Sequence, residues 1–131
     1  MELELTSGVM ATLLEEAARA YPLECCGLLL GQGAAITVAQ PVRNVHDQPE
    51  RHFELDPAAL IAAHRAARTG GPQVLGYYHS HPNGRAEPSP TDRAQASGDG
   101  RIWAIVAAGT VTWWRDAPSG FEALPTRVAA G

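Results

Sequence analysis

The segment GYYHSHPNGRAEPSPTD, residues 76–92, carries two histidines two positions apart, then a loop rich in Pro and Gly, and then an aspartate. Because residues two apart in an extended strand project from the same face, His79 and His81 should point together, with Ser80 on the opposite face. Pro82 cannot donate to a strand ladder, so we expect the strand to end there and to leave both imidazoles accessible. Two imidazoles on one side of a strand end form half of a metal site.

The sequence SPTD, residues 89–92, predicts a helix start that returns a carboxylate toward the histidines. Ser89 is the expected N-cap, Pro90 lies in the first turn, and Asp92 stands three residues beyond the cap. A structural interpretation is open for each residue alone, since the first helical turn favours an acid and strand histidines often hydrogen-bond at a polar edge. Together, two imidazoles and one carboxylate are the three protein ligands that a catalytic zinc uses while water fills its fourth position. The combination therefore favours a metal site.

The elements that position this segment are predicted from hydrophobic spacing. A first helix follows Thr6 and Ser7, either of which can cap it, and ends before Pro22. Its apolar positions recur at helical spacing, at Val9, Met10, Leu13, Leu14 and Ala17. A Gly turn between two apolar runs predicts a hairpin over residues 25–42. The polar, Pro-containing residues 44–52 predict a loop that is long enough to act as a lid.

A second helix and four further strands complete the predicted fold. Asp56 and Pro57 predict the start of the helix, as its cap and its first residue, and Gly70-Gly71-Pro72 predicts its end. The strands are QVLGYYHSH, IWAIVAA, VTWWR and a short FEAL. This order of elements predicts one α/β domain over residues 1–131, with a mixed, largely antiparallel sheet flanked by helices.

The composition is typical of a globular protein with a small negative charge. The 131 residues include 14 acidic and 10 basic residues, all of the latter arginine, and carry a net charge of −4. The arginines are scattered, so no basic patch for nucleic acid is predicted. Cys25 and Cys26 are adjacent and would form a strained bridge, which excludes a secreted disulfide framework. No signal peptide and no apolar run of about 20 residues is found, so no membrane partner is expected and the predicted location is the cytoplasm.

These residues resemble the motif of the JAMM metallopeptidases, also called MPN+ or Mov34/PAD1-like proteins. HSHP at residues 79–82, with Ser89 and Asp92 at the family's spacing, is similar to that motif. YPLECCGLLLG at residues 21–31 resembles the segment that carries the family's catalytic glutamate, here Glu24. The likeness extends over nearly the whole chain and is greatest to the small single-domain bacterial members. It implies a cytidine-deaminase-like MPN architecture.

The resemblance implies a role for each of these residues. His79, His81 and Asp92 would hold one Zn²⁺ per chain, with a bound water or hydroxide as the fourth ligand. Glu24 would act as general base, and Ser89 would help to stabilise the oxyanion. Ser89 can also act mainly as the helix cap, and both interpretations stay open. Spacing alone does not select Glu24 over competing acids of the chain, which are Glu50, Glu54 and Glu87.

By the same resemblance, the expected activity is that of a peptidase or isopeptidase, which hydrolyses an amide at the C-terminal Gly-Gly tail of a ubiquitin-like protein. A bacterial sulfur carrier or its cysteine adduct is the favoured partner, because the chain has no room for the insertions with which eukaryotic deubiquitinases grip their chains. A homodimer is compatible with this prediction. One alternative is a non-catalytic MPN scaffold that binds proteins. A more remote alternative is a non-haem iron oxygenase, which also uses two histidines and one carboxylate. The double-sheet barrel of such an enzyme needs many consecutive strands, whereas two predicted helices interrupt the strands of this chain.

Overall fold

The computed structural model describes residues 1–129, and its elements follow the predicted order with two additional strands. In chain order they are β1 (Leu3–Thr6), α1 (Ser7–Ala20), β2 (Cys26–Gln32), β3 (Ala35–Val42), α2 (Pro57–Arg68), β4 (Gln73–Ser80), α3 (Pro90–Gln95), β5 (Ile102–Ala107), β6 (Thr110–Ala117), β7 (Gly120–Ala123) and β8 (Thr126–Ala129). None of the helices described is long and apolar enough to cross a bilayer.

All eight strands belong to one sheet, in the order β7-β6-β5-β4-β2-β3-β1-β8. Four neighbouring pairs are antiparallel, namely β7–β6, β6–β5, β4–β2 and β2–β3. The other three pairs, β5–β4, β3–β1 and β1–β8, are parallel. The predicted mixed, largely antiparallel sheet flanked by helices is therefore confirmed. This single sheet with helices does not match the double-sheet barrel expected of a non-haem iron oxygenase.

Apolar residues on the two faces of the sheet form separate cores. On one face, α1 packs onto a core that includes Leu29 and Tyr78. On the other face, residues of α2 pack onto a smaller core built on Leu28 and Leu30. Consecutive residues of a strand point to opposite faces, so the leucine run of β2 supplies both cores. This central strand is therefore apolar on both sides, and it leads directly from the segment that contains Glu24.

Strands β1 and β8 lie outside the predicted elements. Each is four residues long, and they pair with each other in parallel, from Leu3 with Thr126 to Thr6 with Ala129. Leu3 and Leu5 are fully buried. The alternation of two leucines with exposed glutamates is too short to predict a strand, and the partner strand lies at the far end of the sequence.

Gly27 allows β2 to lie close to its neighbouring strands. A Cβ atom at this position would overlap the Gln40 carbonyl oxygen and the Tyr78 ring. The preceding residue, Cys26, is paired in register with His79 of β4. The missing side chain at Gly27 therefore lets the Gln40 carbonyl and the Tyr78 ring pack directly against β2, one residue from the partner of His79.

Candidate metal centre

Strand β4 carries the two histidines to the end of the sheet. The strand ends at Ser80, and the His81 N–H extends its parallel ladder with β5 by donating to the Val106 carbonyl at 2.8 Å. The His79 and His81 rings point to the same side, and their Nε2 atoms lie 3.0 Å apart. The chain then leaves the sheet at Pro82, as the missing N–H of that residue predicts.

Ser80 faces away from the histidine rings. Its Oγ accepts a hydrogen bond from the Cys25 N–H at 2.8 Å, and its own N–H donates to the Cys25 carbonyl at 3.0 Å. The side chain is buried on the face of the sheet that α1 covers. These two bonds join the end of β4 to the residue that follows Glu24.

Helix α3 begins with the predicted cap. The Ser89 Oγ accepts from the Asp92 N–H at 3.0 Å, and the Asp92 Oδ2 accepts from the Ser89 N–H at 2.9 Å, which together form a capping box. Beyond the other end of the helix, the buried carboxylate of Asp116 accepts from the Ser97 N–H at 3.0 Å and the Gly98 N–H at 3.1 Å. The turn that carries Asp92 is thus fixed on both sides.

The two histidines and Asp92 converge on one point. Asp92 Oδ1 lies 3.1 Å from His79 Nε2, and Asp92 Oδ2 lies 3.0 Å from His81 Nε2. One ligand atom from each of the three residues lies within 4.8 Å of the others. All three residues are buried, with exposed fractions of 0%, 7% and 5%. Across residues 1–129, no other group of three or more His, Cys, Asp or Glu comes together in this way.

The tautomer of His81 shows that this group suits a cation. His81 Nδ1 lies 2.7 Å from the Arg85 carbonyl oxygen, which can only accept, so the ring proton resides on Nδ1. In the neutral ring, Nε2 then directs a lone pair toward an oxygen of Asp92. Two acceptors that face each other need a proton or a cation between them. A ligating histidine commonly donates its other N–H to a carbonyl in the same way, so the donor set fits a metal ion.

Aromatic rings hold the His79 ring in place. Phe53 is stacked on it with the ring centroids 4.3 Å apart, and Trp103 meets it edge-on at 5.8 Å. Among the residues that the structure describes, His79 Nδ1 has no hydrogen-bond partner. Both aromatic neighbours lie outside the predicted site, because they reach His79 through tertiary packing and no local spacing marks them.

Burial and hydrogen bonding set the charge of the three residues. Burial lowers the pKa of His79, and the hydrogen bond with Asp92 offsets this only in part. Burial also disfavours the charged form of His81, but hydrogen bonds with Asp92 and the Arg85 carbonyl outweigh it and raise the pKa of that ring. Burial would raise the pKa of Asp92, but hydrogen bonds with both histidines hold it far below its usual range. Asp92 is therefore an ionised carboxylate at neutral pH.

Glu24 interacts with this group from the segment before β2. The residue is buried, and its burial raises the pKa of the carboxyl group to about 7; the charge of His81 lowers this pKa and that of Asp92 raises it. The competing acids are all exposed, namely Glu50, Glu54 and Glu87. A buried carboxyl group that titrates near neutral pH is suited to accept and to donate a proton.

Ser89 is half-buried, and its cap function is visible in the structure. Its Oγ accepts from the Asp92 N–H, which occupies a lone pair of the oxygen. No acceptor for the hydroxyl proton of Ser89 is found in residues 1–129. The cap therefore leaves that proton available for a second partner.

Two cavities lie beside the histidines. A largely apolar cavity of about 540 Å³ is bordered by His81, Leu23 and Tyr21 at the end of α1. A second cavity, of about 370 Å³, is bordered by Phe53 and Trp103, the aromatic neighbours of His79. Its other lining residues include His46, Leu60 and Tyr77. The loop over residues 44–52 therefore borders the second cavity through His46.

Comparison with known proteins relates the chain to named peptidases. It is 38% identical over 99 residues to a desampylase from Haloferax volcanii, in a match that spans 74% of this chain and 71% of the relative. It is 42% identical over 86 residues to a probable TtuB-protein conjugate cleaving protease from Thermus thermophilus, in a match that spans 66% of this chain and 55% of the relative. The match thus covers little more than half of that second protein.

Solved structures and a family model agree with this relation. The solution structure of protein DSY2949 from Desulfitobacterium hafniense aligns with a TM-score of 0.85 at 28% identity, covering 98% of this chain and 94% of that one. A structure described as a JAMM metalloprotease-like zinc site in the proteasome and signalosome aligns with a TM-score of 0.62 at 20% identity, covering 98% and 99%, and shows the same fold. The resemblance to JAMM proteins and the prediction of a hydrolase are confirmed. Because the model for prokaryotic homologs of the JAB domain matches residues 6–116, the chain belongs to that family.

Proposed function

We propose that this protein is a zinc-dependent peptidase or isopeptidase, a single JAMM domain that hydrolyses an amide at the C-terminal Gly-Gly tail of a ubiquitin-like protein. The observation that carries the proposal is the convergence of two histidines and one aspartate at the end of β4, with the buried Glu24 as their neighbour. The names of the two relatives, a desampylase and a conjugate cleaving protease, support hydrolysis of a protein conjugate.

His79, His81 and Asp92 are the proposed holders of one Zn²⁺ per chain. Three protein ligands of this kind, with solvent in the fourth position, are typical of catalytic zinc. Bound zinc supplies Lewis acidity, which polarises a carbonyl group and lowers the pKa of water to roughly 7. The ionised carboxylate of Asp92 and the tautomer of His81 support this assignment.

Glu24 is the proposed general base. Its carboxylate would take a proton from the attacking water as the new C–O bond forms, and would deliver it to the leaving amine as the C–N bond breaks. Its pKa of about 7 allows the same group to accept and to donate near neutral pH. The burial that raises this pKa therefore supports the role.

Ser89 is the proposed donor to the oxyanion. Its lone pair caps α3, and its free hydroxyl proton can be directed at the developing negative charge on the carbonyl oxygen. A donor of this kind stabilises a transition state by about 3 kcal/mol. The cap and the oxyanion role are therefore compatible in one side chain.

A bacterial sulfur carrier, or its cysteine adduct, is the proposed substrate. The cavity beside Phe53 and Trp103 is lined by aromatic rings, and a backbone passes closest to such rings where it consists of glycine. An extended tail bound in this way exposes its last carbonyl to the metal group. A non-catalytic scaffold is less well supported, because the chain retains all three ligand residues and the buried glutamate.

Mass spectrometry of candidate carriers tests the proposal. Carriers extended by Cys after the Gly-Gly tail, or joined through it to a lysine, are incubated with zinc-loaded protein, with chelator-treated protein and with the Glu24→Gln variant. We expect cleavage after the second glycine only in the first sample. If zinc-loaded protein leaves every carrier intact, the substrate class is wrong. If the wild-type protein binds no zinc, the proposed hydrolase is wrong as well.

A further inference from the structure

The position of the Glu24 carboxyl group depends on its backbone. Within the described part of the chain, no hydrogen bond to that carboxyl group is found. The Glu24 N–H donates to the Pro49 carbonyl at 2.7 Å, and the following N–H, of Cys25, donates to the Ser80 Oγ at 2.8 Å. The Glu24 carbonyl accepts from the side-chain amide of Asn44, whose Nδ2 lies 3.1 Å away. These three bonds fix the peptide groups on either side of the proposed base.

Asn44 uses its full hydrogen-bonding capacity. Besides its bond to the Glu24 carbonyl, Nδ2 donates to the His52 carbonyl at 3.0 Å. Its Oδ1 accepts from the His46 N–H at 3.1 Å and from the Glu54 N–H at 3.1 Å. A primary amide offers two donor hydrogens and two acceptor lone pairs, so all four are satisfied. One half-buried side chain therefore joins the proposed base to residues 46–54, a loop segment that overlaps the predicted 44–52 loop and extends it to Phe53 and Glu54.

The same loop contacts the metal group. Phe53, which lies between two residues bonded to Asn44, is stacked on His79. Pro49, which holds the Glu24 N–H, also belongs to this loop. The loop therefore touches both the proposed base and a proposed ligand. Asn44 is the side chain that ties the loop to the Glu24 backbone.

We propose that Asn44 is a positioning residue, which fixes Glu24 relative to the metal ligands through the Glu24 carbonyl. This inference rests on the proposed function, because it assumes that Glu24 is the base. A displacement of about 1 Å in a reacting group can cost about 100-fold in rate. Loss of the Asn44 amide should therefore slow turnover while the three ligand residues stay in place.

The Asn44→Ala variant of the full, zinc-loaded protein tests this proposal. We expect kcat to fall by about 10- to 100-fold, with KM and zinc affinity changed by less than about threefold. In a Glu24→Gln background, Asn44→Ala should cause no further loss, because two changes that act through one group are not additive. Amide hydrogen exchange at residues 24–26 should become faster in Asn44→Ala, since the tether to their segment is lost.

Gln73→Ala is the matched control. The Gln73 amide also donates to two backbone carbonyls, those of Ala67 and Gly71 at 3.2 and 3.4 Å, but it does so at the end of α2. We expect its kcat, zinc affinity and exchange at residues 24–26 to equal those of the wild type. Asn44→Asp is the second variant, because it keeps an acceptor oxygen for the His46 and Glu54 N–H groups and lacks the donors to the Glu24 and His52 carbonyls. It should show the same changes as Asn44→Ala.

Three results would overturn the proposal. The first is a kcat for both Asn44 variants within about twofold of the wild-type value. The second is a fall in zinc affinity that parallels the fall in rate. The third is a rate loss in the double variant equal to the product of the losses in Asn44→Ala and Glu24→Gln. If the wild type cleaves no carrier, the proposed function fails on its own. Exchange at residues 24–26 then decides the positioning claim, and unchanged exchange in both Asn44 variants refutes it.

Discussion

The two histidines of the metal group are held in different ways. The Arg85 carbonyl accepts from His81 and fixes both its orientation and its tautomer. Stacking on Phe53 fixes the orientation of the His79 ring and leaves its Nδ1 without a partner in residues 1–129. Partners of this kind orient a ligand and tune its basicity. The orientation of both proposed ligands therefore depends on residues outside the strand that carries them.

Removal of one proposed ligand should abolish stoichiometric zinc binding. We expect His79→Ala to lose its zinc on gel filtration and to lose activity with it, because two ligands remain of the three that a catalytic zinc uses. Elemental analysis of the eluted protein measures this. His64→Ala is the control, since His64 lies on α2 and should leave the zinc content unchanged. Stoichiometric zinc in His79→Ala would remove His79 from the ligand set.

The buried Glu24 should reduce the stability of the metal-free protein at high pH. Its pKa is raised by burial to about 7 in the folded state, so the folded protein favours the protonated carboxyl group. Stability should fall as the pH rises from about 4.5 through 7, and Glu24→Gln should lack this loss. We expect the variant to be more stable by about 1–3 kcal/mol at pH 8 and nearly equal to the wild type at pH 4.

Denaturant unfolding in the presence of a chelator measures this difference across pH. Comparison of the variant with the wild type removes the titrations that the two proteins share; the titration of His81 differs between them, because the charge of Glu24 helps to raise the pKa of that ring. Glu87→Gln is the control for the change of side chain, because Glu87 is exposed in the folded state. An equal pH dependence in the wild type and Glu24→Gln would contradict the prediction.

At the scale of elements, hydrogen bonds at its two ends hold α3 in position. The helix is six residues long, which is too short to be stable in isolation. The capping box between Ser89 and Asp92 starts it, and Asp116 binds the turn that follows it. The sequence predicted the cap because its spacing is local. The contribution of Asp116 was not predicted, since it arrives from β6.

Substitutions at Ser89 should separate its two roles. Ser89→Ala removes both the cap and the hydroxyl proton, so it should cost about 1 kcal/mol of stability and lower kcat by about 100-fold or more. Ser89→Gly should lower kcat equally while costing only about 0.3 kcal/mol of stability. Ser89→Thr keeps the hydroxyl group and should retain most of the stability and most of the kcat of the wild type. A normal kcat in Ser89→Gly would show that the residue acts as a cap alone.

The contact between β2 and β4 should tolerate no side chain at Gly27. We expect Gly27→Ala to lower the free energy of unfolding by about 1–3 kcal/mol, because its Cβ would overlap the Gln40 carbonyl and the Tyr78 ring. Gly8→Ala is the control, because a Cβ at Gly8 meets no atom within 4 Å and adds helix propensity in α1. Equal stabilities of the two variants in urea would contradict this account of the packing.

At the scale of the whole molecule, the features that depend on local sequence patterns were predicted, whereas those that depend on long-range pairing were not. The histidine pair depended on strand alternation and Asp92 on a capping box, and both patterns are contained within residues 76–92. The α1 and α2 boundaries and the central strands followed from apolar spacing and Pro or Gly signals in the same way. The β1–β8 pairing, the stacking of Phe53 on His79 and the bond from Asn44 to the Glu24 carbonyl join residues that are separated in sequence. No local spacing encodes such contacts.

The anchoring of the Asp92 turn on both sides has a consequence for metal uptake. Because Ser89 and Asp116 hold that turn, we expect Asp92, the proposed third ligand, to lose its conformational entropy during folding and not at coordination. We therefore expect an incoming cation to meet an arrangement of side chains that is already formed. Such an arrangement should load without reorganising the backbone, and stripping the ion should leave the same architecture ready to be refilled.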